Sequence, residues 1–172
     1  MNITNFEFKA RVHETEKYEK KLQELNPVFQ GIDYQIDTYF NALKGRLKLR
    51  EGNIENALIH YNRANIKGAK ASQILLYKHQ PDTALKNILI AQFGIKVVVD
   101  KKRKIYFIDN VKFHFDEVAQ LGSFIEVEVI SENENISVDE LKKQCDFYID
   151  FFELTPAQME LASYSDLILA IQ

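Results

Sequence analysis

Polar and apolar positions alternate from Asn5 to Val12, with Asn5, Glu7, Lys9 and Arg11 on one face and Phe6, Phe8, Ala10 and Val12 on the other. That period of two predicts a strand with one buried face. Thr15, a residue type that caps helices, precedes Tyr18, Leu22 and Leu25 at helical spacing, and Pro27 stops the run. Strand-like runs follow over Val28–Asn41, Arg46–Glu51, Ala57–Ala64 and Ser72–His79, separated by Gly45, by Gly52-Asn53 and by a turn at Gly68. Connections this short predict antiparallel pairing, because a parallel crossover needs about a dozen residues or more. Asp82 after Pro81 opens a second helix, with Leu85, Ile88 and Leu89 on one side and Gly94 as its terminator. A second series of strands is predicted over Ile95–Lys101, Arg103–Asp109, Val111–Val118 and Ser123–Ile130, with Asp109-Asn110 as a tight turn. Ser137-x-x-Glu140 is a capping box ahead of Leu141, Cys145, Tyr148 and Phe152, and Thr155-Pro156-x-Gln158 predicts another short helix.

Eight or more strands within 172 residues predict one mainly β (α+β) domain, built as a closed barrel or a sandwich, with flanking helices and a helical C-terminal segment over about 137–170. Composition changes this picture little: 46% hydrophobic and 27% charged residues describe an ordinary folded chain. The net charge of -3 excludes a global attraction to nucleic acid or an acidic membrane, so any anion site has to gather its charge locally. No apolar run approaches the roughly 20 residues that span a bilayer, and Met1 to Phe8 has no signal-peptide pattern. With Cys145 as the single cysteine, a disulfide framework is excluded and the cytoplasm is the expected compartment.

The candidate chemistry lies in charged strand faces. Arg46, Lys48 and Arg50 alternate with Leu47 and Leu49, and Lys101 and Arg103 sit two apart. On an open sheet such faces simply meet water. Enclosed, two like charges about 7 Å apart repel by about 2.4 kcal/mol at an effective dielectric near 20, so the face would need an anion. Glu126 and Glu128 share a face, and Glu7 and Asp116 lie on similar strands, which offers oxygen ligands for a hard cation if they converge and plain surface carboxylates if they do not. His13, His60, His79 and His114 show no zinc-like pairing with one another or with Cys145, although His114 shares a face with Lys112 and Asp116. Cys145 reads as a core residue. Phe147, Phe151 and Phe152 read as core packing, with a homodimer contact as the alternative.

Seven segments in order carry a resemblance. Asn5-Phe-Glu-Phe-Lys-Ala-Arg11 is similar to an E-x-E-x-K signature, and Gln35–Phe40, Gly45–Glu51 and Leu58–Arg63 follow as its next blocks. Lys101-Lys-Arg103, the Asp116–Gly122 segment and Phe124-Ile-Glu-Val-Glu128 match a second half of K-x-R and D-x-V-x-x-L-G-x-F-x-E-x-E. Over about residues 3–130 the chain thus resembles the CYTH-domain proteins of the triphosphate tunnel metalloenzyme superfamily, nearest the class IV adenylyl cyclase and thiamine triphosphatase branches.

The resemblance implies a closed antiparallel barrel of about eight strands whose lumen grips a triphosphate. Lys9, Arg46, Lys48, Arg50, Arg63, Lys70, Lys101 and Arg103 match the basic positions that hold phosphate. Glu7, Glu126, Glu128 and Asp116 match the acids, with Mg²⁺ or Mn²⁺ as the implied metal, and Lys9, Glu7 and Glu126 form the implied catalytic set. Asn5 departs from the signature by replacing its first glutamate with an amide, which puts a second metal or a carboxylate base there in question. The expected activity is metal-dependent hydrolysis of an organic or inorganic triphosphate. A class IV-like adenylyl cyclase and a non-catalytic triphosphate-binding module are the alternatives.

Overall fold

The computed structural model describes residues 2–62, 70–132 and 136–172. Its strands are β1 (Asn2–Val12), β2 (Val28–Phe40), β3 (Arg46–Glu51), β4 (Ala57–Asn62), β5 (Lys70–Lys78), β6 (Ile95–Ile108), β7 (Val111–Val118) and β8 (Gly122–Glu132). The helices are α1 (Glu16–Leu22, tightening to a 3-10 turn at Gln23–Leu25), α2 (Thr83–Phe93), α3 (Val138–Phe151) and α4 (Tyr164–Leu169). Every ladder is antiparallel in the order β1-β5-β4-β3-β2-β6-β7-β8, and β1 also pairs with β8 from Ile3–Glu132 to Val12–Ser123. The expected mainly β architecture with flanking helices holds. The predicted turn at Gly68 lies outside the described residues.

Alternation along the strands divides the side chains into an outer and an inner set. Phe6, Phe8, Phe113, Phe115, Val127 and Val129 are buried on the outside, beneath Tyr18 and Leu22 of α1 and Leu141, Cys145 and Tyr148 of α3. The Ser137–Glu140 capping box starts α3 as its sequence requires. Each fully buried apolar side chain on its stripe, Leu141 among them, contributes about 1.5–3 kcal/mol relative to exposure. The Cys145 thiol donates to the Phe6 carbonyl at 3.2 Å, and burial pushes it up to about 12, so it is a packing residue. Asp82 accepts from Ala84 N to begin α2, and Gly94 at φ 66° ends it in a region that glycine enters without strain. Leu89 of α2 packs on Phe40 and Leu49, whereas Ile88, expected on the same side, is 60% exposed.

Three further local expectations are corrected. The segment read as two strands, Ile95–Lys101 and Arg103–Asp109, is the single strand β6. Lys102 does not break it, because it faces outward toward Glu117 while Lys101 and Arg103 are buried on either side. Thr15 stands at the N-cap of α1 but its side chain makes no cap bond. The helix expected at Thr155-Pro156 is a turn, since the chain after it runs beside β1 and forms an antiparallel bridge between Ala10 and Met159. Residues 158–160 are held there by Arg11 N donating to Gln158 O and Glu160 N to Lys9 O, both at 2.8 Å. The last helix starts later, where Ser163 caps α4 by accepting from Asp166 N.

On the inner face, Tyr39, Val97, Val99 and Phe124 pack against Tyr164 and Ile168 of α4. This apolar plug stops one end of the space inside the sheet. No helix among the described residues is long and apolar enough to cross a membrane.

Candidate functional site

Beyond the plug the inner face is charged. Glu7 and Lys9 of β1, Asp37 of β2, Lys48 and Arg50 of β3, Lys101 and Arg103 of β6, Lys112 of β7 and Glu126 and Glu128 of β8 line a cavity of about 730 Å³. Glu55, from the loop joining β3 to β4, completes the wall. The volume lies within the roughly 300–1,000 Å³ of small-molecule sites. Among the described residues the lining holds seven Lys or Arg and five Asp or Glu side chains. The cationic excess is therefore small, and most cations already have an internal anion.

Asp37 organises the cationic wall. It accepts from Lys48 Nζ at 3.0 Å, Lys101 Nζ at 2.8 Å, and Arg50 Nε and Nη2 at 2.8 and 2.9 Å. Burial works to raise its carboxyl, but Arg50, Lys101 and Lys48 hold it well below the usual carboxylate range. Burial brings Lys101 down to about 7, with the attraction of Asp37 offset in part by Arg50, Arg103 and Lys48. An opposite charge brought close to such a lysine favours its charged form.

The acidic wall comes from neighbouring strands, where Glu7 stands opposite Glu128 and Lys9 opposite Glu126. His114 Nδ1 lies 3.2 Å from Glu126 Oε1 and 3.9 Å from Glu128 Oε1. Burial, then Arg103, lowers His114 to about 3, so the ring is neutral; facing a carboxylate, Nδ1 carries the proton and donates. Nε2 is then an acceptor with no partner among the described residues. Burial works to raise Glu126, but Arg103 and His114 keep it ionised, well below its ordinary value. Burial and the charge of Glu126, with a contribution from Glu7, push Glu128 up to about 7 against the pull of Lys112.

These residues fit a hard divalent cation. The ligand atoms of His114, Glu126 and Glu128 lie within 4.8 Å of one another. Asn5 Nδ2 donates to Glu7 Oε2 at 3.2 Å, while its buried Oδ1 has no partner among the described residues. A set rich in carboxylate and amide oxygen suits Mg²⁺ or Mn²⁺. The His114–Glu126 bond is of the type that fixes a ligating carboxylate from behind.

The structure brings most of the expected positions together and separates others. Glu7, Lys9, Lys48, Arg50, Lys101, Arg103, Glu126 and Glu128 line the cavity. Lys9 Nζ donates to Ala162 O at 2.8 Å and sits over the Tyr164 ring. Asp116, expected as a metal ligand, is instead fully buried behind the lining, where Arg103 Nε and Nη2 (2.7 and 2.6 Å) and the Tyr164 hydroxyl (2.7 Å) consume its oxygens. Arg46, expected on phosphate, points to the plug end and donates to Ser163 Oγ at 2.6 Å and Asp166 Oδ2 at 2.7 Å. Arg63 and the side chain of Lys70 lie outside the described residues. Of the aromatic stripe, Phe152 is buried and Phe147 is 55% exposed.

Lys112, singled out in the sequence only as sharing a face with His114, joins the lining, and further contributors escaped sequence reasoning. Asp37 had a legible signal, because Asp33, Gln35, Asp37 and Tyr39 alternate with less polar positions along β2. Tyr164 had none, since its place depends on how the C-terminal segment returns. Glu55 had none either, being in a loop with no period.

An antiparallel sheet thus carries a cavity whose cationic and acidic walls come from neighbouring strands. The family model of the CYTH domain matches residues 4–152, and the chain belongs to that family. Among solved structures, the PH1012 protein of Pyrococcus horikoshii OT3 is similar at 26% identity and a TM-score of 0.79, over 95% of this chain and 98% of that one. A candidate adenylate cyclase from Vibrio parahaemolyticus shares the fold at 15% identity and a TM-score of 0.73, over 96% and 97% of the two chains. HpAC1 of Hippeastrum, a candidate adenylyl cyclase with a dominant triphosphatase activity, shares it at 12% identity and a TM-score of 0.66, over 100% and 97%. No curated protein sequence matches this chain.

Proposed function

We propose that this chain is a divalent-metal-dependent phosphohydrolase whose sheet acts as a closed tunnel for an organic or inorganic triphosphate. One observation carries the reading: Lys48, Arg50, Lys101 and Lys112 share a single cavity with Glu7, Glu126 and Glu128. Phosphate oxygens go to the first group, with Arg50 supplying the planar fork and the lysines point charges. Glu7, Glu126 and Glu128 would hold the metal, assisted by the Asn5 amide oxygen. When bound, the cation neutralises phosphoryl charge and makes water a better nucleophile. His114 keeps Glu126 in orientation through its Nδ1 proton, and Arg103 keeps it ionised. Glu128, pushed up to about 7 by burial and the Glu126 charge, would serve as a ligand in its ionised form. The α4 plug excludes water from the inner end, which strengthens each of these charge contacts. The likeness of HpAC1 supports hydrolysis over cyclisation, because a cyclase-like fold there carries triphosphatase activity. Asn5 supports it too, since cyclisation must also activate a ribose hydroxyl and a site short of one carboxylate is worse equipped for that.

Chromatography of products from ATP, thiamine triphosphate and tripolyphosphate, each with Mg²⁺ and with Mn²⁺, tests the assignment. Orthophosphate is the expected main product. Cyclic AMP with pyrophosphate as the dominant output overturns it in favour of a cyclase, and binding without turnover overturns it in favour of a binding module.

A further inference from the structure

Among the described residues, Glu55 is the one lumen carboxylate supplied by a loop. The loop is clamped: Ile54 N and Glu55 N both donate to Asp33 at 2.9 Å, and Gly52 and Asn56 exchange hydrogen bonds at 3.0 and 2.9 Å. β3 begins with Arg46 at the α4 plug and ends at Glu51, so Glu55 stands at the opposite end of the cavity. There its carboxylate bridges two walls, accepting from Arg50 Nη1 of β3 at 3.0 Å and from Lys112 Nζ of β7, with Gln35 Nε2 at 3.1 Å. β3 and β7 are not neighbours in the sheet, since β2 and β6 lie between them. The Glu55 side chain keeps 23% of its exposure, unlike Asp37, whose side chain keeps 2% and is part of the wall itself. A carboxylate held by a guanidinium and an ammonium occupies the position that a phosphate oxygen would take from the same donors.

Resting on the triphosphate reading above, we infer that Glu55 is an internal competitor for phosphate and a determinant of chain length. It holds the Arg50–Lys112 pair at the outer end of the lumen, where the outermost phosphate of an oligophosphate has to displace it. A short anion that reaches only the inner cations, Lys48 and Lys101, does not meet it. The selectivity of the site therefore falls on chain length: Glu55 weakens the binding of longer anions more than that of shorter ones.

The test is calorimetric titration of pyrophosphate and of tripolyphosphate, without divalent metal and at low ionic strength, into wild type, Glu55→Gln, Glu55→Asp and Glu51→Gln. Glu51 pairs with Lys86 of α2 rather than in the lumen, so its variant makes the same change in net charge outside the site. Glu55→Gln is expected to lower the Kd of tripolyphosphate about tenfold and that of pyrophosphate by less than about threefold, the local charge mattering most at contact distance. Glu51→Gln is expected to change neither. Glu55→Asp, with a shorter reach to Lys112, shifts tripolyphosphate in the same direction by a smaller factor, and it supplies the comparison if the amide variant does not fold. Unchanged or weaker tripolyphosphate binding by the folded Glu55 variants, or an equal gain for both anions, overturns the inference and leaves the triphosphate reading standing. Failure of all four proteins to bind either anion overturns both.

Discussion

Replacing Arg103 by methionine is expected to cost about 3–5 kcal/mol of folding stability, the loss typical when one partner of a buried ion pair is removed. Arg103 is 2% exposed and satisfies Asp116 through two parallel bonds and Glu126 through a third at 3.1 Å. Its removal strands a fully buried carboxylate whose other contact is the Tyr164 hydroxyl. The double variant Arg103→Met/Asp116→Leu is expected to recover much of the loss, because it removes both buried charges together. Urea denaturation of the three proteins measures this directly. A loss below about 1 kcal/mol in the single variant would contradict the placement of Asp116 as a structural partner behind the lining.

Glu126→Gln is expected to lower metal-dependent turnover by at least about a hundredfold while leaving the fold and metal-free tripolyphosphate binding intact. The amide keeps an oxygen for Arg103 Nη2 and loses the charge that a cation needs. With one acid fewer in the lumen, the bare polyanion binds no worse. Steady-state rates across a Mg²⁺ titration, alongside calorimetry without metal, separate the two effects. Turnover near that of the wild type at limiting Mg²⁺ would remove Glu126 from the proposed metal set.

Both residues were readable from the sequence by alternation, but their partners were not. The period-two patterns of Asn5–Val12, Arg46–Glu51 and Phe124–Glu128 placed their charges on one face, and that face is the lumen for most of them. Register decides the rest. Arg103 stands opposite Asp116 across the β6–β7 ladder, and this turns an expected metal ligand into an ion-pair partner. Position along the strand matters as well: Arg46 has the parity of Lys48 and Arg50, yet it lies at the plug end, where Ser163 and Asp166 take it. Sequence separation hides such contacts, since Arg46 and Asp166 are 120 residues apart. The lost helix at Thr155-Pro156 has the same origin, because backbone bonds from residues 158–160 to Lys9 and Arg11 of β1, far away in sequence, replace local helical bonding.

The central claim, that the lumen takes a triphosphate, is tested most directly by unfolding the protein in increasing tripolyphosphate without divalent metal, at matched ionic strength. A ligand that binds only the folded chain at 100 times its Kd stabilises it by about 2.7 kcal/mol. The lumen cations lie within bonding reach of such an anion once their internal pairs exchange, and Lys101, lowered to about 7, gains charge as it binds. The account predicts a melting temperature that rises steadily with tripolyphosphate and little with an equal ionic strength of chloride. A melting temperature unchanged through millimolar tripolyphosphate would contradict it.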